Sequence, residues 1–164
     1  MAEKPVACKL IAIVEDDQLL VEWFRDALDY DGHWRLQFYS DGQLAKDELP
    51  ELGADLILLD IGLPNLDGVS LFKILRGHSN TRSTPIIVVS GSRGWELQRM
   101  GLPSGLFLRK PFRRKELLVM IQALLGEEVN EQWDVAGVIT DASPTWSGYD
   151  ADERSSDEAS SPTD

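Results

Sequence analysis

Four short, almost unbroken apolar runs constrain this chain more than any other feature: Lys9 to Val14, Leu56 to Asp60, Ile86 to Ser90 and Leu106 to Arg109. A strand that is apolar on both sides needs cover on both sides, which is the situation in a parallel sheet. Arg35 to Tyr39 supplies a fifth strand candidate. Between these runs lie amphipathic stretches with helical spacing. Asp17 caps one that reaches Tyr30 and sets Leu20, Val21, Phe24 and Leu28 on one face. Asp41-Gly42 opens a short helix to Leu49, which Pro50 helps to end. A third runs from Val69 to Arg76 with Gly77 as its C-cap. A fourth, short, covers Trp95 to Met100. The last, Arg113 to Leu125, presents Leu117, Leu118, Ile121, Leu124 and Leu125 and is followed by Gly126.

Strands alternating with helices make repeated βα units, and right-handed crossovers fold these into an α/β domain. The expected architecture is a flavodoxin-like, doubly wound, five-stranded parallel sheet of order 2-1-3-4-5 with helices on both faces. A chain of 164 residues holds one such domain and a tail. The boundary is set at 126, because from Glu127 onward eleven acids face Arg154 alone, which accounts for −10 of the net −12. Residues 127–164 therefore read as an acidic, Ser/Asp-rich tail, disordered from about residue 140 on its composition. Within it Trp146 and Tyr149 are the exception, read first as solvated aromatics of a linker and, as the alternative, as anchors that dock on a partner or on the protein's own surface. The remaining balance of −2 predicts no extended basic face, and no nucleic acid is expected as a partner. No apolar run approaches the roughly 20 residues that span a bilayer, and Met1 to Pro5 do not open a secretory signal. The expectation is a cytoplasmic protein without a membrane partner. Cys8 reads as a buried thiol, and His33 and His78 as exposed loop histidines without partner cysteines or acids at metal spacing.

In this strand order ligands collect beyond the carboxyl ends of the first and third strands. The first ends in Glu15-Asp16 and the third in Asp60, while Ser90 ends the fourth and Lys110 follows the fifth. Three carboxylates that close repel one another unless a cation lies between them. Mg²⁺, a hard ion that takes oxygen ligands and keeps several waters, suits the set; no twelve-residue calcium loop is present. Lys110 offers a compact positive charge able to pair with Asp60 before a reaction and with a phosphoryl oxygen after it. A carboxylate nucleophile, a metal, an ammonium and a hydroxyl are the parts of a site for phosphoryl transfer to Asp60. Asp17 reads as a helix cap, Asp67-Gly68 as a turn without chemistry, and Trp23 and Phe24 as packing residues.

The segments Ile11-Ala12-Ile13-Val14-Glu15-Asp16-Asp17, Leu58 to Gly68, Ile86 to Ser90 and Leu108 to Phe112 resemble, in order and spacing, the receiver domain of two-component response regulators, in a stand-alone, chemotaxis-regulator-like form. The resemblance implies that Asp60 is the phosphoacceptor and that Glu15, Asp16, Asp60 and the backbone carbonyl of Gly62 hold Mg²⁺. It implies that Ser90 and Lys110 contact the phosphoryl group, that Ser90 and Phe107 are switch residues, and that the Lys110–Pro111 bond is cis. It further implies a phosphoprotein of phosphorelay signal transduction, charged by a sensor histidine kinase or a phosphotransfer protein and read by an unknown downstream protein. Such a domain is no enzyme beyond its self-catalysed phosphorylation and dephosphorylation. The alternative is a pseudo-receiver, an interaction module independent of phosphorylation. A Mg²⁺-dependent phosphohydrolase would need an acid two residues after Asp60, where Gly62 stands. Two departures from the family carry expectations. Ser90 and Lys110 are 20 positions apart, which predicts a shortened fourth helix, and Gly62 leaves the phosphoryl site without a neighbouring side chain.

Overall fold

The computed structural model describes residues 8–29, 33–102 and 106–127. The expectations for the tail lie outside the described residues. Strands β1 (Lys9–Val14), β2 (Trp34–Tyr39), β3 (Leu56–Asp60), β4 (Ile86–Ser90) and β5 (Phe107–Arg109) alternate with α1 (Gln18–Leu28), α2 (Gly42–Leu52), α3 (Gly68–Gly77), α4 (Gly94–Arg99) and α5 (Arg114–Leu125). All strand pairs are parallel and the order is β2-β1-β3-β4-β5, as expected.

Side-chain alternation along the strands builds two cores. Ile11, Ile13, Leu56, Leu58, Ile87 and Val89 join α1 and α5 through Phe24, Leu28, Leu117 and Ile121. Ala12, Val14, Ile57, Leu59 and Val88 join α2, α3 and α4 through Leu49, Leu71, Leu75 and Leu97 on the other side. Because both faces are covered, β3 and β4 are buried at every residue, and their runs need no polar positions. Each fully buried Leu or Ile side chain contributes about 1.5–3 kcal/mol. β2 lies at the sheet edge, where Arg35 and Gln37 are exposed, so its sequence signal is weaker.

Several boundaries differ from the sequence reading. Pro50 does not end α2 but lies inside its last turn, and Gly53, at φ 68°, terminates the helix. Pro50 forfeits the hydrogen bond to the Lys46 carbonyl and crowds that carbonyl, and the helix runs only two residues further. Gly77 is the last residue of α3 and not its cap; the extended His78 takes that place, its amide bonding Ile74 and Leu75 carbonyls. Gly126, at φ 69°, caps α5 as read. Cys8 is exposed, contrary to expectation, because it precedes β1 at the open end of the sheet; its thiol donates to the His33 carbonyl at 3.2 Å. His33 is exposed, as read, and Glu127 lies 3.2 Å from its Nε2. That partner is 94 positions away, beyond any local spacing rule. Trp23 and Phe24 pack against Phe112, as read.

Asp17, Asp41 and Asp67 cap α1, α2 and α3 with their carboxylates. The Ser70 hydroxyl (2.7 Å) and amide (3.0 Å) both donate to Asp67 and hold its carboxyl below the ordinary range. A carboxyl with a lower pKa in the folded state stabilises the fold above the unfolded value, and that stability fades as pH falls through the folded one. Replacing Asp67 by Ala should therefore cost about 1 kcal/mol at neutral pH. Urea titrations at stepped pH should show the wild-type advantage shrinking below about pH 4.

Candidate functional site

The ladder continues one residue past two strand ends, with the Glu15 amide on the Tyr39 carbonyl (2.9 Å) and the Lys110 amide on the Ser90 carbonyl (2.8 Å). Alternation therefore carries Glu15, Asp60 and Lys110 to the face shared with Ile13, Leu58 and Leu108. Here they meet. Lys110 Nζ donates to Asp60 Oδ1 at 2.9 Å and to Glu15 Oε2 at 3.1 Å. The Gly62 amide donates to Asp60 Oδ2 at 2.7 Å, so both oxygens of Asp60 have a donor. Glu15 and Asp60 are 2% and 7% exposed, whereas Asp16 is open to solvent. The Lys110–Pro111 bond is cis.

Burial, and then the charge of Asp60, push the Glu15 carboxyl above its ordinary pKa despite Lys110. Burial works against the Lys110 ammonium, but its hydrogen bonds and charge contacts with Asp60 and then Glu15 outweigh it and raise its pKa. The ammonium is thus firmly charged at neutral pH. Even so, one cation faces three carboxylates, and ligand oxygens of Glu15, Asp16 and Asp60 all lie within 4.8 Å of one another. A compact all-oxygen set with unbalanced negative charge fits Mg²⁺.

The structure does not join every residue read from the sequence to this group. Ser90 is buried on the opposite face, and its hydroxyl accepts the Ser92 amide at 3.0 Å instead of meeting Asp60 or Lys110. Phe107 is buried in the core beneath α2, α3 and α4. The contact that the structure gives Gly62 runs through its amide, not its carbonyl. α4 has six residues, the short helix expected from the spacing.

Three positioning residues were not recognised in the sequence. Gly68, read as half of a turn, begins α3 directly against the C-terminal end of β3: its amide bonds the Ile61 carbonyl at 3.1 Å, and a Cβ there would strike the Asp60 carbonyl and lie 2.5 Å from Ile61 Cα. The available signal was a glycine immediately after a helix cap, where no turn requires it. Asn65, at φ 61°, donates to the Asp41 carboxylate and fastens the loop after β3 to the start of α2. Gly42 admits the Leu66 carbonyl at the same junction. We expect Gly68→Ala to cost about 2–4 kcal/mol in urea unfolding, because backbone rather than a flexible side chain must move.

The sequence profile of the response regulator receiver domain matches residues 11–122. The transcriptional regulatory protein CpxR of Escherichia coli K12 is 36% identical over 118 residues, 70% of this chain and 48% of CpxR. The chain thus spans about half the length of the curated relatives it matches. The receiver domain of the sensor histidine kinase PA1611 of Pseudomonas aeruginosa PAO1, solved with a magnesium ion in its active-site cleft, superposes with a TM-score of 0.62 and 30% identity. The match covers 74% of this chain and all (100%) of that one. CheY4, a chemotaxis protein of Vibrio cholerae, shares the fold with a TM-score of 0.64 and 24% identity, over 72% of this chain and 99% of its own. A relative named for transcription leaves the expectation of no nucleic-acid partner without support. No helix among the described residues is long and apolar enough to cross a membrane. Together with the strand order and the acidic crevice, these matches make the chain a member of the response regulator receiver domain family.

Proposed function

We propose that residues 1–126 form a receiver that accepts a phosphoryl group on Asp60 from the phosphohistidine of a sensor histidine kinase or phosphotransfer protein, in the cytoplasm, and passes the signal on through protein contacts. The observation that carries this reading is the setting of Asp60: nearly buried, one oxygen held by Lys110 and the other by the Gly62 amide, with Glu15 and Asp16 alongside. An Asp60 oxygen attacks phosphorus, the phosphorus–nitrogen bond of the donor breaks, and the imidazole leaves with that electron pair, so an acyl phosphate forms on Asp60. Lys110 transfers its hydrogen bond from the carboxylate to a phosphoryl oxygen. The Ser90 hydroxyl, at the end of the adjacent strand, leaves the Ser92 amide and turns across the rim of the sheet to donate to another, and Phe107 moves with it. Glu15, Asp16, Asp60 and the Gly62 carbonyl would hold Mg²⁺, which neutralises charge on the phosphoryl oxygens when bound.

The test is incubation of the whole chain with acetyl phosphate and Mg²⁺, read by intact mass. One phosphoryl group should be gained, and EDTA added beforehand should prevent it. No gain would sink this reading and leave a pseudo-receiver. In the same assay Gly62→Asn should slow loss of the phosphoryl group about tenfold, because a side chain at that position begins 3.1 Å from Asp60 Oδ2, where an attacking water must pass. An unchanged half-life would show that Gly62 does not govern water access.

A further inference from the structure

The near-neutral balance of the folded part conceals a segregation. Residues 91–116 hold seven bases against Glu96 and Glu116, a balance of +5, whereas residues 1–90 carry −7. The two acids are occupied as caps, Glu96 accepting the Arg93 amide at 2.7 Å and Glu116 the Arg113 amide at 2.8 Å. Lys110 is spent at the site and Arg114 on the Ala27 carbonyl, which leaves Arg93, Arg99, Arg109 and Arg113 exposed. Arg93 and Arg113 stand on the loops that follow the neighbouring strands β4 and β5, which are in register at Ser90 and Arg109. Arg99 closes α4 and lies over the ring of Trp95. Trp95 and Met100, 42% and 46% exposed, add apolar surface among these bases.

We propose that residues 128–164 of the same chain dock on this basic surface of α4, β5 and α5. The segment carries ten acids against Arg154, a balance of −9, and its Trp146 and Tyr149 are followed directly by Asp150, Asp152 and Glu153. Aromatic groups beside acids thus meet an aromatic group and a thioether beside bases. The segment's starting point is fixed: Glu127 accepts the Trp34 indole N–H at 3.1 Å and meets His33 at 3.2 Å, just beyond the end of α5. The helix places that root about 18 Å from Arg113. Trp146 lies 19 positions beyond Glu127, a reach of up to about 60 Å when extended, so the span is ample. Tethering gives the segment an effective concentration on the order of millimolar, which favours it over a free acidic partner of equal affinity. The surface is then withheld from other proteins until the tail is displaced. This inference does not depend on whether Asp60 accepts a phosphoryl group.

Because Cys8 is the single cysteine, a probe can be placed at one site in the full chain. In Cys8→Ser/Ser148→Cys protein carrying a nitroxide, amide NMR signals from residues 93–100 and 109–115 should be selectively broadened at low salt and recover at high salt. Arg99→Glu/Arg109→Glu should abolish the broadening. So should Asp150→Asn/Asp152→Asn/Glu153→Gln, which leaves every residue of the five strands and five helices unchanged. Absence of broadening, broadening centred on another surface, or persistence in both variants would overturn the proposal. Broadening that appears equally when labelled chains are mixed with isotope-enriched unlabelled ones would also overturn it and point to a second copy.

Discussion

Asp60→Asn is expected to take up no phosphoryl group from acetyl phosphate or from a phosphohistidine donor, and at the same time to unfold at higher urea than the wild type. The first effect follows from chemistry, since an amide oxygen is a poor nucleophile and cannot form the acyl phosphate; loss of at least about 10³ in rate is expected. The second follows from charge. Glu15, Asp16 and Asp60 outnumber Lys110, and Glu15 is pushed toward its protonated form by burial and by Asp60 itself. Removing one buried charge relieves that repulsion while Lys110 keeps Glu15 as a partner, a gain of about 1 kcal/mol. Intact mass and urea unfolding on the same preparation read both effects. A dead variant that is also destabilised would mean that Asp60 is held by favourable interactions stronger than the repulsion.

Lys110→Met removes the ammonium while keeping most of the side chain's bulk. The phosphoryl-transfer rate should fall about 10²–10³-fold, the usual cost of deleting one charge-stabilising donor from an active site. Glu15 and Asp60 are then left buried with no counter-charge. Breaking a buried pair costs about 3–5 kcal/mol, and with the Lys110 side chain 30% exposed about 2 kcal/mol is the fitting figure. A carboxyl whose pKa is higher folded than unfolded binds protons preferentially in the native state, so stability is gained as pH falls and lost as pH rises through the folded value. Glu15 already lies in that class, and without Lys110 it moves further into it. The deficit should therefore shrink on acidification toward pH 5. Millimolar Mg²⁺ should restore stability but not rate, because a cation between the carboxylates replaces the charge of Lys110 and not its hydrogen bond. Equal rescue of both would assign Lys110 to electrostatic balance and remove it from the transfer step.

The buried strands and the helices between them were legible because continuous apolar runs have few solutions, and Asp60, Glu15 and Lys110 were legible because each stands at a strand end. What brings these three together is side-chain parity, which extends from Ile13, Leu58 and Leu108. The same parity explains why Ser90, also at a strand end, lies on the other face. The residues that escaped notice act through backbone and distance. Gly68 matters for the carbonyl it admits, which no residue pattern displays, and Glu127 for a tryptophan and a histidine more than 90 positions away. Pro50 was overread because its penalty depends on where in a helix it falls.

Register through the sheet also makes β3 a ruler. Its interior side chains are interchangeable among Leu, Ile and Val at modest cost, since each fills a core by volume. Their number is not interchangeable. One residue inserted into Leu56–Asp60 would exchange the two cores along the rest of the strand and turn the Asp60 carboxylate away from Lys110 toward the α3 side. The placement of Asp60 beside Lys110 is thus insured against substitution in the strand that carries it and defenceless against a change in its length.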